Sequence, residues 1–378
     1  MHVAQLIPTV DRIAGAERQA MELAKGLKNR GWNVSVVALS GAGGAAAEEL
    51  LKAGIGFFSL HMRKGLADPG GWIQFNRWLR RERPAILHAH LPHAAWLARW
   101  SILGVRATLG YQTPAVIDSL HSASTGSLGR RLGYRLSSSL PDRVTAVSEQ
   151  AARTHLAARM ADPRKLVVIS NGIDVERWQP DAQARSSVRI ELGLRDEPHL
   201  SDEFLWLAVG RLEPVKDYTT LLHAIAQLPQ AATLLIAGSG YEEKMLKGLA
   251  EQLGLENRVR FLGFRTDVPR LMQACDGLVL SSRCEGLPMG LLEAAACALP
   301  AVATDAPGTA EVLVDGETGL LAPVGDAPAL ARTMQTMMQM PMEERRAMGL
   351  RARARIMENF GMESVLDRWE SLYRELAN

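Results

Sequence analysis

Short apolar runs separated by helix-length segments recur along the chain in two series. The first comprises His2 to Ile7, Asn33 to Leu39, Ala85 to Leu87, Arg143 to Val147 and Leu166 to Ile169. The second comprises FLWLAVG (Phe204 to Gly210), ATLLIAG, RVRFLGF, GLVLSS and LPAVAT. Runs that are apolar throughout belong to strands covered on both faces, and a helix-length return between them makes the sheet parallel. The expected fold class is α/β, with two Rossmann-like doubly wound domains facing a cleft. A length of 378 residues exceeds what one hydrophobic core usually serves, which agrees.

The alternation lapses from Asp174 to Glu203, where Pro180, Pro198 and many charges fall. The expected organisation is residues 1–173 as an N-terminal Rossmann-like domain, 174–203 as a linker, 204–360 as a C-terminal Rossmann-like domain and 361–378 as a C-terminal helix. A helical period runs from Met342 to Leu376 and is interrupted around Asn359 to Gly361.

Charge is unevenly placed. Through Lys165 there are 22 Lys and Arg against 11 Asp and Glu, while the remainder holds 21 against 30. The basic half is expected to meet something anionic: membrane lipid, a phosphorylated substrate or nucleic acid. The basic runs WLRRERP and GRRLGYRL are not interleaved with an aromatic stacking platform, so nucleic acid is set aside. Cys275, Cys284 and Cys297 have neither CxxC spacing nor an even-numbered framework, which argues against disulfides and zinc and for a reduced, cytoplasmic chain. The N-terminus lacks a basic leader with a cleavage site, and no run of about 18 uncharged apolar residues occurs. A soluble chain, at most peripheral on a membrane, is expected.

The stretch SRCEGLPMGLLEA (Ser282 to Ala294) sets Glu285 and Glu293 at the ends of an apolar, glycine-containing run. GLVLSS reads as a buried strand and MGLLEAAACA as a helix, so Glu285 falls in the connecting loop and Glu293 in the first or second helical turn. Gly286 allows close backbone approach, and Pro288 suits a first turn because its missing N–H costs nothing there. The amides of Leu287, Met289 and Gly290, with the helix dipole, then make an anion site. Carboxylates beside an anion site fit a phosphate flanked by hydroxyl-rich groups, the pattern of a nucleotide sugar. Alone, the two glutamates also read as surface residues near a helix start. GRLEPVKDY puts Arg211 and Lys216 at the carboxyl edge of the first strand of the second domain, where ligands of open α/β sheets bind. In the first domain Gly15 follows the first strand, and no G-x-G-x-x-G fingerprint is present. In LHAHLPHA, alternation puts His88 and His90 on one face, with His93 beyond. A hydrogen-bonded structural role is the stronger reading for His88 and an even one for His90.

The motifs AGAER, SNGID (Ser170 to Asp174), GRLEPVKD, LGF, EGLPMGLLEA and GETGLL stand in an order and spacing that resembles the retaining nucleotide-sugar glycosyltransferases of family 4 (glycosyl transferases group 1), which have the GT-B fold. The resemblance spans nearly the whole chain. It implies that Arg211 and Lys216 hold the donor diphosphate, that Glu293 accepts from the ribose hydroxyls and that Glu285 addresses the donor sugar. It places Gly15 over the phosphates, the turn of Gly263, Phe264 and Arg265 at the base, and Gly286, Leu287, Met289, Gly290 and Leu292 along the donor. It implies an acceptor-binding first domain and a C-terminal helix that crosses back to it. It further implies retention by front-face attack, with a donor phosphate oxygen able to take the acceptor proton, and neither metal nor cofactor. A UDP-sugar is favoured over a GDP-sugar, and the acceptor is a glycan or polyprenyl-linked glycan of envelope or exopolysaccharide assembly. Arg80, Arg81, Arg83, Arg130, Arg131 and Arg135, with Trp72, Trp78, Trp96 and Trp100, are expected to meet an anionic membrane surface.

Two departures stand out. The loop that usually reads Gly-Gly-Ala-Glu has Ala14 first here. Many members carry a histidine near the reacting sugar, at the end of the strand that follows HAH; RATLGYQTP is read as that strand, with Gly110, Tyr111 and Gln112 in the histidine's neighbourhood. His90 becomes the local candidate. The apparent loss keeps open a catalytically idle binding or scaffold protein, and the shared fold keeps open a sugar-nucleotide epimerase. A hydrolase would need its carboxylates on opposite sides of a glycosidic bond.

Overall fold

The computed structural model describes residues 1–11, 15–63, 68–108, 113–193 and 203–377. The chain divides into two compact units, one of residues 1–172 with 362–378 and the other of residues 173–361.

The first unit is built on seven parallel strands: β1 (His2–Thr9), β2 (Asn33–Ser40), β3 (Gly56–Ser59), β4 (Ile86–His90), β5 (Ala115–Leu120), β6 (Arg143–Ala146) and β7 (Leu166–Val168). Their order is β3-β2-β1-β4-β5-β6-β7, so the direction of winding reverses between β1 and β4. Alternation along β1 feeds two cores. Val3 and Ile7 point to one face, under the helices Gly15–Asn29 and Met362–Ala377. Ala4 and Leu6 point to the other, under the helices Pro69–Glu82 and Leu91–Thr108. The C-terminal helix is anchored by Trp369 and Tyr373 in the first of these cores, by Trp32 Nε1 donating to Glu370 (3.1 Å) and by Arg30 paired with Asp367 (2.6 Å).

One sequence expectation is corrected here. The segment RATLGYQTP does not supply the strand after HAH: Arg106 to Thr108 end the helix Leu91–Thr108, and Gly110, Tyr111 and Gln112 lie outside the described residues. The strand is AVIDSL, and His121 follows it directly. Asp118 interrupts the apolar run, and it is tolerated because Arg99, from the preceding helix, pairs with it where both side chains are wholly buried.

The second unit holds β8 (Phe204–Val209), β9 (Ala232–Ala237), β10 (Val259–Gly263), β11 (Gly277–Leu280), β12 (Ala301–Thr304) and β13 (Leu320–Ala322). The order β10-β9-β8-β11-β12-β13 reverses between β8 and β11, the Rossmann arrangement. Trp206 lies at its centre, and a side chain at Gly277 would put its Cβ 2.8 Å from the indole, which is why glycine opens β11. The segment 174–203 contains the helix Ala182–Glu191, which belongs to this unit. Arg185 on that helix pairs with Asp276 (2.6 Å), and Arg189 donates to the carbonyl of Ala274 (3.0 Å). Residues 194–202 lie outside the described ones.

Candidate active site

Because the second sheet reverses between β8 and β11, the loops leaving those strands emerge side by side at its carboxyl edge. Pro214 opens a short 3₁₀ turn, Pro214–Lys216, and Asp217, in the left-handed region at φ +49°, caps the helix Tyr218–Gln227 by accepting from Thr220. The β11 loop is tied to that turn by its backbone. Ser281 Oγ donates to the carbonyl of Lys216 (2.8 Å), Arg283 N to that of Val215 (2.8 Å) and Arg283 Nε to Asp217 (2.9 Å).

These ties bring two predicted residues together. Lys216 Nζ lies 2.6 Å from Glu285 Oε1, which also accepts from Ser282 Oγ at 2.5 Å. The Lys216 side chain is 21% exposed and that of Glu285 10%, so the pair is shielded yet reachable. Arg211 projects into solvent, 67% exposed, and pairs with Glu213 at 2.8 Å. Its guanidinium is free to turn towards an anion, since an exposed pair of this kind holds by less than about 1 kcal/mol.

Pro288 precedes the helix Met289–Ala296, and the amides of Leu291 and Leu292 are spent on its carbonyl. Among the described residues the amides of Leu287 and Gly290 make no hydrogen bond. Glu293 is half-buried in the second helical turn. Leu292 is corrected: its side chain is fully buried in the core and its amide is committed, so it packs the helix and offers a ligand nothing. Gly263 ends β10 at φ +67°, Phe264 after it is 74% exposed, and Arg265 is forked onto Asp267 by two bonds of 2.7 Å.

Sequence reading passed over Gly308. It sits at φ +89°, and a Cβ there would lie 2.8 Å from the carbonyl oxygens of both Glu285 and Gly286, while Glu285 N donates to the carbonyl of Pro307 (3.0 Å). The APG turn after β12 is therefore the floor under Glu285. Gly308→Ala is expected to cost about 1–3 kcal/mol and to displace Glu285, read together as a lower midpoint in urea and weaker ligand binding.

In the first unit, Gly15 is exposed at the first residue of its helix, while residues 12–14, including Ala14, lie outside the described ones. His90, proposed as catalytic from the sequence, is 2% exposed with both ring nitrogens engaged: Nε2 with Gln5 Oε1 at 2.6 Å and Nδ1 with His121 Nε2 at 2.9 Å. It stands behind His121. His121 Nδ1 has no hydrogen-bond partner among the described residues, and its ring lines a small pocket with Gln19, Ser119, Ser170, Asn171 and Trp369. Gln19 grips the SNGID turn in both directions, Nε2 donating to the Gly172 carbonyl (2.8 Å) and Oε1 accepting from its amide (3.1 Å). His88 and His90 share one face as alternation predicts, their ring centroids 4.0 Å apart, and His93 is exposed on the next helix.

Burial holds all three clustered rings neutral. It lowers His88 and His90 well below the ordinary histidine value of 6.5, neighbouring imidazoles adding to the effect, and lowers His121 to about 4. An unfolded chain takes up protons on these rings near 6.5, so the native state binds fewer and loses stability as pH falls from about 6.5 through 4. The thermal midpoint is expected to be level above about pH 7 and to drop progressively below 6.5; a midpoint unchanged down to pH 5 would contradict the neutral cluster.

Two Rossmann-like units, the second carrying cations, a carboxylate and unpaired amides at its switch point, define a glycosyltransferase of the GT-B architecture. Residues 13–177 match the family model for Glycosyltransferase Family 4, and residues 194–355 match that for Glycosyl transferases group 1. The chain is 30% identical over 312 residues to N-acetyl-alpha-D-glucosaminyl L-malate synthase of Bacillus anthracis, covering 79% of this chain and 76% of that protein. It is 23% identical to the UDP-Gal:alpha-D-GlcNAc-diphosphoundecaprenol alpha-1,3-galactosyltransferase of Escherichia coli, over 82% and 81% of the two chains. The crystal structure of Anabaena Alr3699/HepE with UDP and glucose superposes with a TM-score of 0.85 at 24% identity, covering 99% of each chain. The protein belongs to the family 4, group 1 glycosyltransferases.

Proposed function

We propose that the protein moves a sugar from a nucleotide-sugar donor, a UDP-sugar before a GDP-sugar, to a glycan or polyprenyl-linked acceptor in envelope or exopolysaccharide assembly, with retention and without a metal. The observation that carries this reading is the Lys216–Glu285 pair at the switch point of the second unit, 2.6 Å apart and held by the β8 and β11 loops. An ammonium beside a carboxylate suits a ligand whose phosphate meets a hydroxylated ring. UDP accompanies the Anabaena structure, and the E. coli relative is named for a UDP-sugar and a diphosphoundecaprenol acceptor.

Departure of a nucleoside diphosphate places negative charge on its outer phosphate. Lys216, Arg211 and the amides of Leu287 and Gly290 stabilise that charge without moving through the reaction, the form of stabilisation that contributes most. Glu285 holds Lys216 before the donor arrives and then addresses a sugar hydroxyl, while Glu293 accepts from the ribose. Phe264 and the Gly263 turn take the base. The acceptor hydroxyl attacks from the side the phosphate leaves, and a phosphate oxygen takes its proton. The idle-scaffold alternative loses its motive, since a histidine, His121, directly follows β5.

The test is incubation with UDP- and GDP-sugars in the presence of a chelator, following released nucleoside diphosphate and the anomeric configuration of the product by NMR. Release with the donor's anomeric configuration is expected. Inversion, or activity wholly dependent on added divalent metal, would refute the mechanism.

A membrane partner is favoured by one surface of the first unit. On the helix Leu128–Leu136, Leu128, Leu132 and Leu136 are 78%, 53% and 72% exposed, at a four-residue spacing that makes one stripe. Tyr134, on the opposite side, is the buried anchor, so this helix turns its apolar face outward, flanked by Arg131 and Arg135. Trp96 of the neighbouring helix lies against Gly133, where a Cβ would come within 2.5 Å of its ring, and with Trp100 extends the patch. Trp78, grouped with these from the sequence, is core, stacked on Phe58 and Phe75. No helix among the described residues is long and apolar enough to cross a membrane, so attachment at the inner leaflet is peripheral in this reading. Serine at all three leucines is expected to abolish sedimentation with anionic vesicles while leaving transfer to a soluble acceptor intact; undiminished sedimentation would rule this surface out.

A further inference from the structure

A second cleft of the second unit lies at the opposite edge of its sheet from the candidate active site. Phe204 opens β8, Asp276 precedes β11 and Pro300 precedes β12, and all three line it, so it sits where the strands begin. One wall is the helix Ala182–Glu191, which supplies Arg185 and Arg189; another is the helix Met342–Phe360, which supplies Arg345 and Arg346. The cleft has a volume of about 490 Å³, within the usual range of small-molecule sites.

The lining carries four arginines against two carboxylates, Asp276 and Glu203, and the pairing is uneven. Asp276 is spent on one side. Its Oδ1 takes Arg185 at 2.6 Å, while Oδ2 accepts from the amide of Leu205 at 2.9 Å and lies 3.7 Å from Arg189. Glu203, exposed on the rim, forms no ion pair among the described residues. Arg345 is half-buried. Its Nη1 donates to the carbonyls of Met338 (3.1 Å) and Met340 (2.6 Å) at the end of the helix Ala327–Gln339, and its guanidinium carbon stands 5.2 Å from the centre of the Phe204 ring. These contacts hold the group in place and offset part of its charge, as a helix C-terminus does for a cation. They leave Nε and Nη2 without a partner among the described residues, and Arg346, exposed beside it, forms neither a hydrogen bond nor an ion pair there. Burial lowers the Arg345 pKa from its ordinary value, Asp276 opposing that shift and Arg185 adding to it. Buried charge is ordinarily paired, so this wall suits an anion entering from the cleft.

We propose that the cleft is a second anion site, separate from the donor site, and that it takes a phosphate monoester of a small hydroxylated molecule, such as a sugar phosphate. Four arginines less two carboxylates leave a charge of +2 across the lining, which matches a phosphate monoester at neutral pH better than a carboxylate or a sulfate ester, each with a single charge. Arg345 Nε and Nη2, with Arg346, take the phosphate in the fork that a guanidinium offers to phosphate oxygens. Met338 and Met342 provide an adaptable apolar wall for the body of the ligand, and Glu203 an acceptor for its hydroxyls.

The test is a ¹H–¹³C methyl spectrum of the full-length protein labelled at its methionine methyls, with Met289, Met338 and Met342 assigned from single Met→Leu variants. Ribose 5-phosphate, ribose and inorganic phosphate are titrated at one fixed ionic strength. Met338 and Met342 line the cleft and Met289 opens the helix behind the donor loop, so the spectrum tells which site is filled. Ribose 5-phosphate is expected to move Met338 and Met342 saturably while Met289 stays in place, and to bind more tightly than inorganic phosphate; ribose is expected to move none of the three. Arg346→Glu, at an exposed position without a described partner, should leave the fold intact and weaken ribose 5-phosphate by about tenfold or more, the loss of one charge-assisted hydrogen bond. Lys216→Ala should leave that affinity unchanged. Absence of saturable movement at Met338 and Met342, an equal response to ribose, affinity no higher than that of inorganic phosphate, or affinity indifferent to Arg346→Glu overturns the proposal.

Discussion

Lys216→Ala is expected to reduce sugar transfer by about 100- to 1,000-fold, the range for removing one fixed group that stabilises charge developing in a transition state. It should also weaken free nucleoside diphosphate, because the ammonium meets the phosphate in the ground state as well. Its removal leaves Glu285, 10% exposed, without its cation at 2.6 Å, which sets a carboxylate's repulsion against the incoming phosphate. Glu285→Ala should behave differently: Lys216 stays available, so nucleotide affinity holds while transfer falls, since the sugar loses its acceptor. Steady-state kinetics and titration with the diphosphate separate the two. Equal and negligible effects of both substitutions on both readouts would remove the site from this loop pair.

The second large effect is on stability. Asp118→Ala is expected to cost about 3–5 kcal/mol, the usual result of stripping one partner from a buried ion pair. Arg99 keeps its bond to Ser137 Oγ (2.8 Å) and its place over the Tyr134 ring, 4.5 Å from the centroid, but a guanidinium with no exposed surface loses its neutralising charge. Burial alone pushes the Asp118 carboxyl above its ordinary value, and Arg99 opposes that shift without cancelling it. Replacing both partners with apolar residues of similar volume should cost far less than the single change. Urea denaturation of the three variants provides the comparison; a loss below about 1 kcal/mol for Asp118→Ala would show that the pair is reached by water.

Asp118 also explains where the sequence could be read and where it could not. Strands such as FLWLAV at β8 and GLVL at β11 are continuous apolar runs, and such runs announce parallel, doubly covered strands without help from the rest of the chain. β5 is broken by an aspartate that only a partner 19 residues earlier, Arg99 on a different element, makes tolerable. A scan for apolar runs therefore passes over AVIDSL and settles on the preceding segment, and with it misplaces the strand-end histidine. In the second unit the motif glycines and charges were legible because their spacing alone places them on a strand end, a loop and a helix start. Gly308, Ser281 and Ser282 were not, since what they do depends on which loops lie beside theirs. Leu292 fell inside a functional motif, yet a helix has one buried face and Leu292 is on it.

The central claim is that the switch point of the second unit binds a nucleoside diphosphate through Lys216, and calorimetric titration tests it most directly. UDP, GDP and ADP are titrated separately into the purified wild-type protein and into Lys216→Ala, without added metal. One diphosphate, UDP, is expected to bind the wild-type protein, with affinity reduced at least tenfold by the substitution, the equivalent of about 1.4 kcal/mol. Binding of none of the three, or binding that the substitution leaves unchanged, would contradict the account.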